Sequence, residues 1–192
     1  MQQRSSGASC CAGGERVLES GLAYHLWQAP IGWLGLVCGK ERLVEIVSEP
    51  QAAAVREHIG RLCPDAQAQC SAVCAEAVRQ LDDYFHGRRR RFELPLAMDT
   101  LTPFTARVLR TLAQVPFGST LTYGELAVLA GFPRAARAVG RVMATNPFPI
   151  VIPCHRVLGA GGKMTGYSGG EGIATKQWLL RFEAEKSLID DW

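Results

Sequence analysis

The sequence has no long apolar run. None of its stretches reaches the roughly 18 uncharged apolar residues that a membrane-spanning helix needs. Residues 1–6, MQQRSS, lack the basic-then-apolar order of a secretory signal. We therefore expect no membrane partner and a place in the cytoplasm, or in the nucleus if the source is eukaryotic.

An excess of charge of one sign is also missing. The 21 Lys and Arg residues are nearly balanced by 18 Asp and Glu residues, which excludes a histone-like polycation. Any contact with nucleic acid must therefore come from locally clustered charge. Residues 88–91 are all arginine, but such a run is usually a solvated linker, and we favour that interpretation over a phosphate contact or a targeting signal.

The seven cysteines form no metal-binding or disulfide pattern. Their number is odd, and no two of them are spaced as Cys-x-x-Cys. Cys70 and Cys74 lie four residues apart on a predicted helix and are interpreted as small buried residues. Asp82 and Asp83 are adjacent and point in different directions, so a carboxylate cluster is not expected there. The sequence predicts no metal, no cofactor and a reducing compartment.

The chain divides into a tail and two domains, which together predict an α+β fold. Residues 1–20 show no periodicity and are expected to form a flexible tail. The N-terminal domain, residues 21–94, has a helix over residues 64–85 and a small antiparallel sheet, with strands at residues 22–28, 33–38 and 43–48. The C-terminal domain, residues 95–192, is mostly helical. Thr102 and Pro103 open a helix that ends near residue 115, and a last helix covers residues 174–185.

One cysteine has a histidine directly after it. Cys154 lies between Pro153 and His155, in an apolar run that leads into a glycine-rich loop. A free thiol is only a few per cent ionised at neutral pH, and a neighbouring base makes it a nucleophile. A buried structural cysteine is the alternative, but burying the polar side chains of His155 and Arg156 costs free energy unless they have a functional role. We expect the sulfur to be held ionised at the mouth of a cavity.

Two short helices precede this cysteine. Residues 122–131 and 134–143 have helical spacing of apolar residues and are joined at Gly131 and Pro133, which predicts a helix-turn-helix. Arg134, Arg137 and Arg141 are predicted to share one face of the second helix. A solvated arginine face is as common as a DNA-facing one, but the small residues at 135, 136, 138 and 140 favour close approach to DNA.

Five segments, in this order, resemble the O6-alkylguanine-DNA alkyltransferases, also called methylated-DNA–protein-cysteine methyltransferases. They are Tyr123, residues 135–140 (AARAVG), Asn146-Pro147 with Pro149, residues 153–157 (PCHRV) and residues 166–170 (GYSGG). The resemblance implies a ribonuclease-H-like N-terminal domain and a winged-helix-like C-terminal domain. Some members of this family hold a structural zinc ion. Cys38 matches one of its ligands, but Val44 replaces a histidine ligand, so no metal is expected.

The resemblance implies direct-reversal DNA repair. An alkyl group, usually methyl, moves from O6-alkylguanine, and also from O4-alkylthymine, to Cys154. His155 takes the thiol proton through a water molecule and Glu183 orients His155, which is the logic of a nucleophile, a base and an orienting acid. Tyr123 donates to guanine N3, and Asn146 ties the recognition helix to the active-site loop. The thioether product is not hydrolysed, so each molecule is expected to react once.

The resemblance also implies a pocket for the base. The carbonyls of Cys154 and Val157 accept from the exocyclic amine of guanine, and the Ser168 backbone N–H lies near O6, where negative charge grows. The pocket wall is assigned to Met143, Pro149 and Tyr167. For Met143 and Tyr167, packing in the core is an equally open interpretation.

The implied partner is double-stranded DNA, bound through its minor groove by a monomer with the damaged base flipped out. Arg137 fills the vacated stack, since a planar guanidinium can stack and pair with the orphaned base. Ala136 allows close approach, and phosphate contacts are assigned to Arg134, Arg141 and the Ser119 backbone.

Three other functions remain open at this point. A non-catalytic sensor of alkylguanine would lack the cysteine at position 154. A transcription regulator of this kind would carry a further cysteine-rich domain, for which the chain is too short. A Cys-His hydrolase would need an oxyanion hole and no arginine-bearing helix.

Overall fold

The computed structural model describes residues 21–187, so the expected tail at residues 1–20 lies outside the described residues. The N-terminal part contains strands β1 (Ala23–Ala29), β2 (Gly32–Cys38), β3 (Leu43–Glu49) and β4 (Gln67–Ala68), with helices α1 (Ala52–Leu62) and α2 (Ala72–Phe85). The remainder contains helices α3 (Pro103–Leu112), α4 (Tyr123–Leu129), α5 (Ala136–Ala144) and α6 (Ile173–Ser187), and short strands β5 (Leu121–Thr122) and β6 (Val157–Leu158). This confirms the predicted α+β class. No helix within residues 21–187 is long and apolar enough to cross a membrane.

The sheet of the N-terminal part has the order β3-β2-β1-β4. Strands β1, β2 and β3 pair antiparallel, as the predicted meander requires, whereas the two-residue β4 adds in parallel to β1. Helix α1 packs directly over Gly35 in β2. A Cβ atom at that position would clash with the side chains of Val55 and Ile59, so the close approach of helix and sheet depends on the glycine.

Two expectations for this part were wrong. The predicted helix over residues 64–85 begins only at Ala72, where Ser71 caps it by accepting from the Cys74 N–H. Helix α1 was not predicted, because only Val55 and Ile59 of its residues are buried and its apolar stripe is too narrow to show in the sequence.

The cysteines of this part also differ from expectation. Cys38 in β2 and Cys74 in α2 form a disulfide with Cα atoms 6.1 Å apart, and Cys70 is exposed rather than buried. Within residues 21–187 no group of three or more His, Cys, Asp or Glu side chains is arranged to hold a metal ion.

The arginine run was expected to be a solvated linker, but it makes specific contacts. Arg88 forms ion pairs of 2.9 Å with both Asp82 and Asp83 of α2. The guanidinium group of Arg90 lies 5.4 Å from the centre of the Phe117 ring. The side chains of Arg88 and Arg90 remain exposed, but Arg88 is paired with the last turn of α2 and Arg90 contacts the C-terminal part of the chain.

The C-terminal helices start at clear caps. The Thr102 hydroxyl accepts from the Thr105 N–H at the start of α3, with Pro103 in the first turn, although the helix ends at Leu112 rather than near residue 115. Thr122 and Glu125 form a capping box at the start of α4. Strand β5, just before α4, pairs with β6, just after Cys154, so this small sheet fixes the cysteine relative to α4 and α5.

The edge of β3 joins the two parts. The Ile46 N–H donates to the Pro147 carbonyl at 2.8 Å, and the Gly170 N–H donates to the Ser48 carbonyl at 2.9 Å. The sheet therefore supports two segments of the C-terminal part, the stretch after α5 and the loop before α6.

Candidate active site

Cys154 begins a single 3-10 turn, Cys154–Arg156, between Pro153 and β6. The residue is buried, and burial raises the pKa of its thiol, although the Asn146 side chain and the charge of Lys176 offset part of that rise. Burial thus favours the neutral thiol, whereas an ionised sulfur was expected from the sequence, so nucleophilic attack calls for a base at the moment of reaction.

His155 is a suitable base because one of its ring nitrogens is fixed and the other is free. Nε2 lies 2.9 Å from Glu183 Oε1, and both side chains are fully buried. Since an ionised carboxylate only accepts, Nε2 carries the proton and Nδ1 carries a lone pair. Among the described residues, Nδ1 has no hydrogen-bond partner. Burial lowers the pKa of His155, so the ring is neutral at physiological pH.

Glu183 accepts five hydrogen bonds. Arg156 donates to both oxygens (2.8 and 2.9 Å) and His155 donates to Oε1. The Tyr84 hydroxyl donates to Oε1 (2.7 Å), and the Gly118 N–H donates to Oε2 (3.1 Å). Burial alone raises the pKa of Glu183, but the hydrogen bonds and charges of its partners outweigh burial and hold this pKa well below its usual range. The hydrogen bond from His155 is the first of these lowering causes, and the bidentate hydrogen bonds and permanent charge of Arg156 add to it.

Asn146 shapes the turn that carries the cysteine. It follows α5, its amide Nδ2 donates to the Ile152 carbonyl (2.9 Å), and its Oδ1 accepts from the Phe148 N–H (3.1 Å). Ile150, inside this turn, has a φ of 73°, a region that β-branched residues rarely adopt. The turn is therefore held in a strained conformation by its surroundings, as is common next to reactive groups.

Lys176 is a buried cation near the cysteine, and sequence reasoning did not identify it. Its Nζ donates to the Val157 carbonyl at 2.6 Å and to the Thr165 carbonyl at 3.0 Å. Its charge lowers the pKa of Cys154. The Val157 carbonyl, expected to accept from the base, thus already accepts from a lysine, and only its second lone pair is left for another donor.

The residues expected to line the pocket lie at the start of α4, in α5, in the turn before the cysteine and in the loop before α6. Tyr167 lies close enough to Cys154 for the thiolate charge to raise the tyrosine pKa further above its usual value, after the larger effect of burial. Met143 in α5 and Pro149 in the turn are both buried. The Tyr123 ring lies against Gly140 of α5, and its hydroxyl is 3.5 Å from Thr165 Oγ1. Ser168 Oγ donates to the Ala144 carbonyl at the end of α5.

The residues expected to contact DNA lie on or beside α5. Arg137 and Arg141 are exposed and one turn apart, and Ala136 is partly buried at the start of the helix. The prediction that Arg134 shares their helical face was wrong, because α5 begins at Ala136 and Arg134 lies in the preceding turn. The Ser119 N–H, expected to contact phosphate, already donates to the Pro116 carbonyl at 3.2 Å.

Sequence reasoning missed three residues of the site: Tyr84, Arg156 and Lys176. Arg156 carried a signal, since a charged residue inside the apolar run after Cys154 needs a buried partner. Tyr84 carried none, because it is one more apolar position on the buried face of α2, and Lys176 carried none, because a lysine near the start of a helix is ordinarily exposed. Of the residues that were assigned to the site from the sequence, Asn146 and Tyr167 lie close to Cys154, and Glu183 is hydrogen-bonded to His155.

Comparison with known proteins gives a consistent result over both parts of the chain. Residues 22–98 match the family described as 6-O-methylguanine DNA methyltransferase, ribonuclease-like domain. Residues 103–185 match the family described as 6-O-methylguanine DNA methyltransferase, DNA binding domain.

Individual relatives cover nearly the same span. A methylated-DNA–protein-cysteine methyltransferase of Methanosarcina acetivorans is 39% identical over 160 residues, which are 83% of this chain and 97% of that protein. The protein of that name from Mycolicibacterium paratuberculosis is 40% identical over 171 residues, 86% of this chain and 94% of that protein. The crystal structure of Mycobacterium tuberculosis O6-methylguanine methyltransferase aligns with a TM-score of 0.70 at 36% identity, covering 88% of this chain and 99% of that one. The structure of Mycobacterium tuberculosis OGT in complex with DNA aligns with a TM-score of 0.71 at 37% identity, covering 85% of this chain and 94% of that one.

Proposed function

The chain belongs to the methylated-DNA–protein-cysteine methyltransferase family, enzymes of DNA repair by methyl transfer, and on that premise we propose that Cys154 is its alkyl acceptor. The proposed substrates are O6-alkylguanine and O4-alkylthymine in double-stranded DNA. The observation that supports Cys154 is the neutral His155 beside it, with Nε2 fixed by Glu183 and Nδ1 unpartnered among the described residues.

The proposed reaction is a displacement at the alkyl carbon. The bond between Cys154 Sγ and that carbon forms as the bond from carbon to guanine O6 breaks. The thiol proton passes through a water molecule to His155 Nδ1, and the departing guanine anion takes up one proton from water. The imidazolium then returns its proton to water, so that in the net reaction the proton lost from sulfur appears on guanine. Tyr123 and the Ser168 backbone N–H are assigned to the guanine as donors. The product thioether is stable to water, so one molecule of protein repairs one base.

DNA is the partner of this family, and we propose that a monomer binds it through the minor groove. A base within a duplex is out of reach of a buried thiol, so the damaged nucleotide must be flipped out, at a cost of a few kcal/mol. Arg137 is proposed to fill the vacated stack. Arg141 and Arg134, exposed on either side of it, are proposed to contact phosphates.

The test is the mass of the intact protein after incubation with an oligonucleotide duplex that carries O6-methylguanine. We expect the protein to gain one methyl group in place of one hydrogen, and peptide mapping to locate that group on Cys154. A second duplex with O4-methylthymine tests the second substrate. Excess damaged duplex tests the single turnover, since the number of repaired bases must not exceed the number of protein molecules.

The matched control is Cys154→Ser, which keeps the size of the side chain and removes the nucleophile. If the wild-type protein binds the damaged duplex without any change of its mass, the result contradicts alkyl transfer and favours a lesion sensor. Methylation of the wild-type protein at a residue other than Cys154 would contradict the assignment of the acceptor.

A further inference from the structure

Tyr84 carries a hydroxyl group that packing alone does not require. It lies near the end of α2, in the N-terminal part of the chain, and its ring contacts four other aromatic rings with centroids 5.1 to 5.9 Å away, those of Phe85, Phe92, Phe117 and Phe182. A phenylalanine would fill this cluster equally well, and a buried hydroxyl is costly unless it is paired. The hydroxyl of Tyr84 is paired with one atom, Oε1 of Glu183, at 2.7 Å.

That oxygen is the one that orients the base. Oε1 accepts from Tyr84 at 2.7 Å, from Arg156 at 2.8 Å and from His155 at 2.9 Å. Three donors therefore share one carboxylate oxygen, and each reduces the negative charge that the others meet. A change in one of these hydrogen bonds must alter the other two.

We propose that Tyr84 is a positioning residue for alkyl transfer, whose hydroxyl holds Glu183 Oε1 in place and limits the pull of that oxygen on the proton of His155 Nε2. The inference rests on the proposed function, because it concerns the base for Cys154. It assigns a residue of the N-terminal part, 99 positions before Glu183, to the site in which the reaction takes place.

The surroundings of His155 determine the direction of the effect. The charged and titratable groups that face it or its partners are Glu183 and Lys176 from α6, Arg156 and Cys154 from its own turn, Tyr84 from α2 and Tyr167 from the loop before α6. Arg156 balances the charge of Glu183, and Tyr84 withdraws further charge from Oε1. Burial raises the pKa of Tyr84 well above its usual value, so the phenol stays protonated and remains a donor across the working range of pH.

Removing the hydroxyl therefore has two consequences. Oε1 is left with two donors, so it binds the His155 proton more strongly and raises the pKa of the imidazole. The carboxylate also loses one of its five anchors, so the imidazole is held less firmly. In the Tyr84→Phe protein the acid limb of the pH profile of methyl transfer is expected to move to higher pH, and the plateau rate is expected to fall about tenfold, as for other residues that orient a functional ligand.

The experiment measures the rate of methyl transfer from an O6-methylguanine duplex between pH 5 and pH 9, under single-turnover conditions, for wild-type, Tyr84→Phe and Tyr24→Phe proteins. Tyr24→Phe is the matched control, a tyrosine of the same sheet domain whose hydroxyl is not among the donors to Glu183. It is expected to keep the wild-type profile. Each rate is divided by the fraction of protein that is folded at the same pH, because a less stable variant loses folded protein at acid pH. An acid limb of Tyr84→Phe that coincides with the wild-type limb after this correction overturns the proposal.

Fluorinated tyrosines at position 84 provide a second test that keeps both the ring and the hydroxyl. A more acidic phenol donates more strongly to Oε1, so the acid limb is expected to move to lower pH, opposite to the shift in Tyr84→Phe. A limb that stays in place, or moves to higher pH, overturns the proposal. If the wild-type protein transfers no methyl group, the proposed function fails and this inference fails with it. If the wild-type protein is active and all variants share its pH profile, only the role of Tyr84 fails.

Discussion

Replacing Glu183 by glutamine is the sharpest test of the buried network. The carboxylate is fully buried, and its two oxygens accept five hydrogen bonds. A glutamine keeps the shape but turns one acceptor oxygen into an NH2 group, which must face at least one of those donors. It also leaves the guanidinium of Arg156, only 4% exposed, without its counter-charge.

The expected loss of stability follows from that geometry. Removing one partner of a buried ion pair costs about 3–5 kcal/mol, because the remaining charge stays desolvated. Domains of this kind are stable by about 5–15 kcal/mol in total, so Glu183→Gln is expected to remain folded but to unfold at a much lower urea concentration. Methyl transfer by the folded variant is expected to slow about a hundredfold, since the imidazole loses the group that fixes its tautomer.

The assay is urea unfolding followed by tryptophan fluorescence, together with the transfer rate measured well below the unfolding midpoint. Glu185→Gln is the matched control, because Glu185 is an exposed residue of the same helix and its replacement should change stability by no more than about 0.5 kcal/mol. If the free energy of unfolding of the Glu183→Gln protein is lower than that of the wild type by less than about 1 kcal/mol, the buried-pair reasoning is refuted. A stable variant with the wild-type rate would refute the role of Glu183 in orienting the base.

Two further predictions concern pH and the buried lysine. The pKa of His155 in the folded protein lies below its ordinary value of 6.5, so as the pH falls below that value the unfolded chain binds a proton that the folded chain does not. The unfolding free energy is therefore expected to fall by up to about 1.4 kcal/mol per pH unit until the pKa of the folded state is reached. Urea titrations of His155→Gln should lack this contribution. If the unfolding free energy of that variant changes with pH as steeply as that of the wild type, His155 is not the group responsible. Lys176→Met removes the cation that lowers the pKa of Cys154, so the rate of methyl transfer is expected to fall about tenfold at pH 7, with partial recovery at higher pH. A fall that is equal at all pH values would show that the lysine acts only through packing.

The sequence was informative where the relevant signal is local. Caps such as Thr102 and Ser71, and the adjacency of Cys154 and His155, depend on neighbouring residues and can be recognised without a structure. Ser71 was nevertheless overlooked as a helix start, although Ala66, Ala68 and Cys70 before it alternate with polar residues, a spacing typical of a strand and not of a helix. The stretch instead turns and adds the short strand β4 to the sheet.

The missed residues depend on contacts between distant parts of the chain. Tyr84 meets Glu183 across 99 positions and Arg156 meets the Val115 carbonyl across 41. In the sequence, Tyr84 is simply one more apolar position on the buried face of α2. Its hydroxyl finds a partner only in the folded structure, where α6 lies beside α2, and no periodicity or local motif in the sequence indicates that contact.

The protonation states in the site depend on Arg156, the positively charged partner of the Glu183 carboxylate. A histidine that met Glu183 alone would tend to be charged, and a charged imidazole cannot accept the proton of a thiol. Arg156 balances the charge of Glu183 in a bidentate pair, which favours a neutral His155 whose Nδ1 has no hydrogen-bond partner within residues 21–187. The thiol of Cys154 is neutral as well, because burial raises its pKa. A neutral buried thiol reacts slowly with adventitious electrophiles and oxidants. In the proposed mechanism the sulfur is therefore retained until a bound alkylated nucleobase brings the alkyl carbon within its reach.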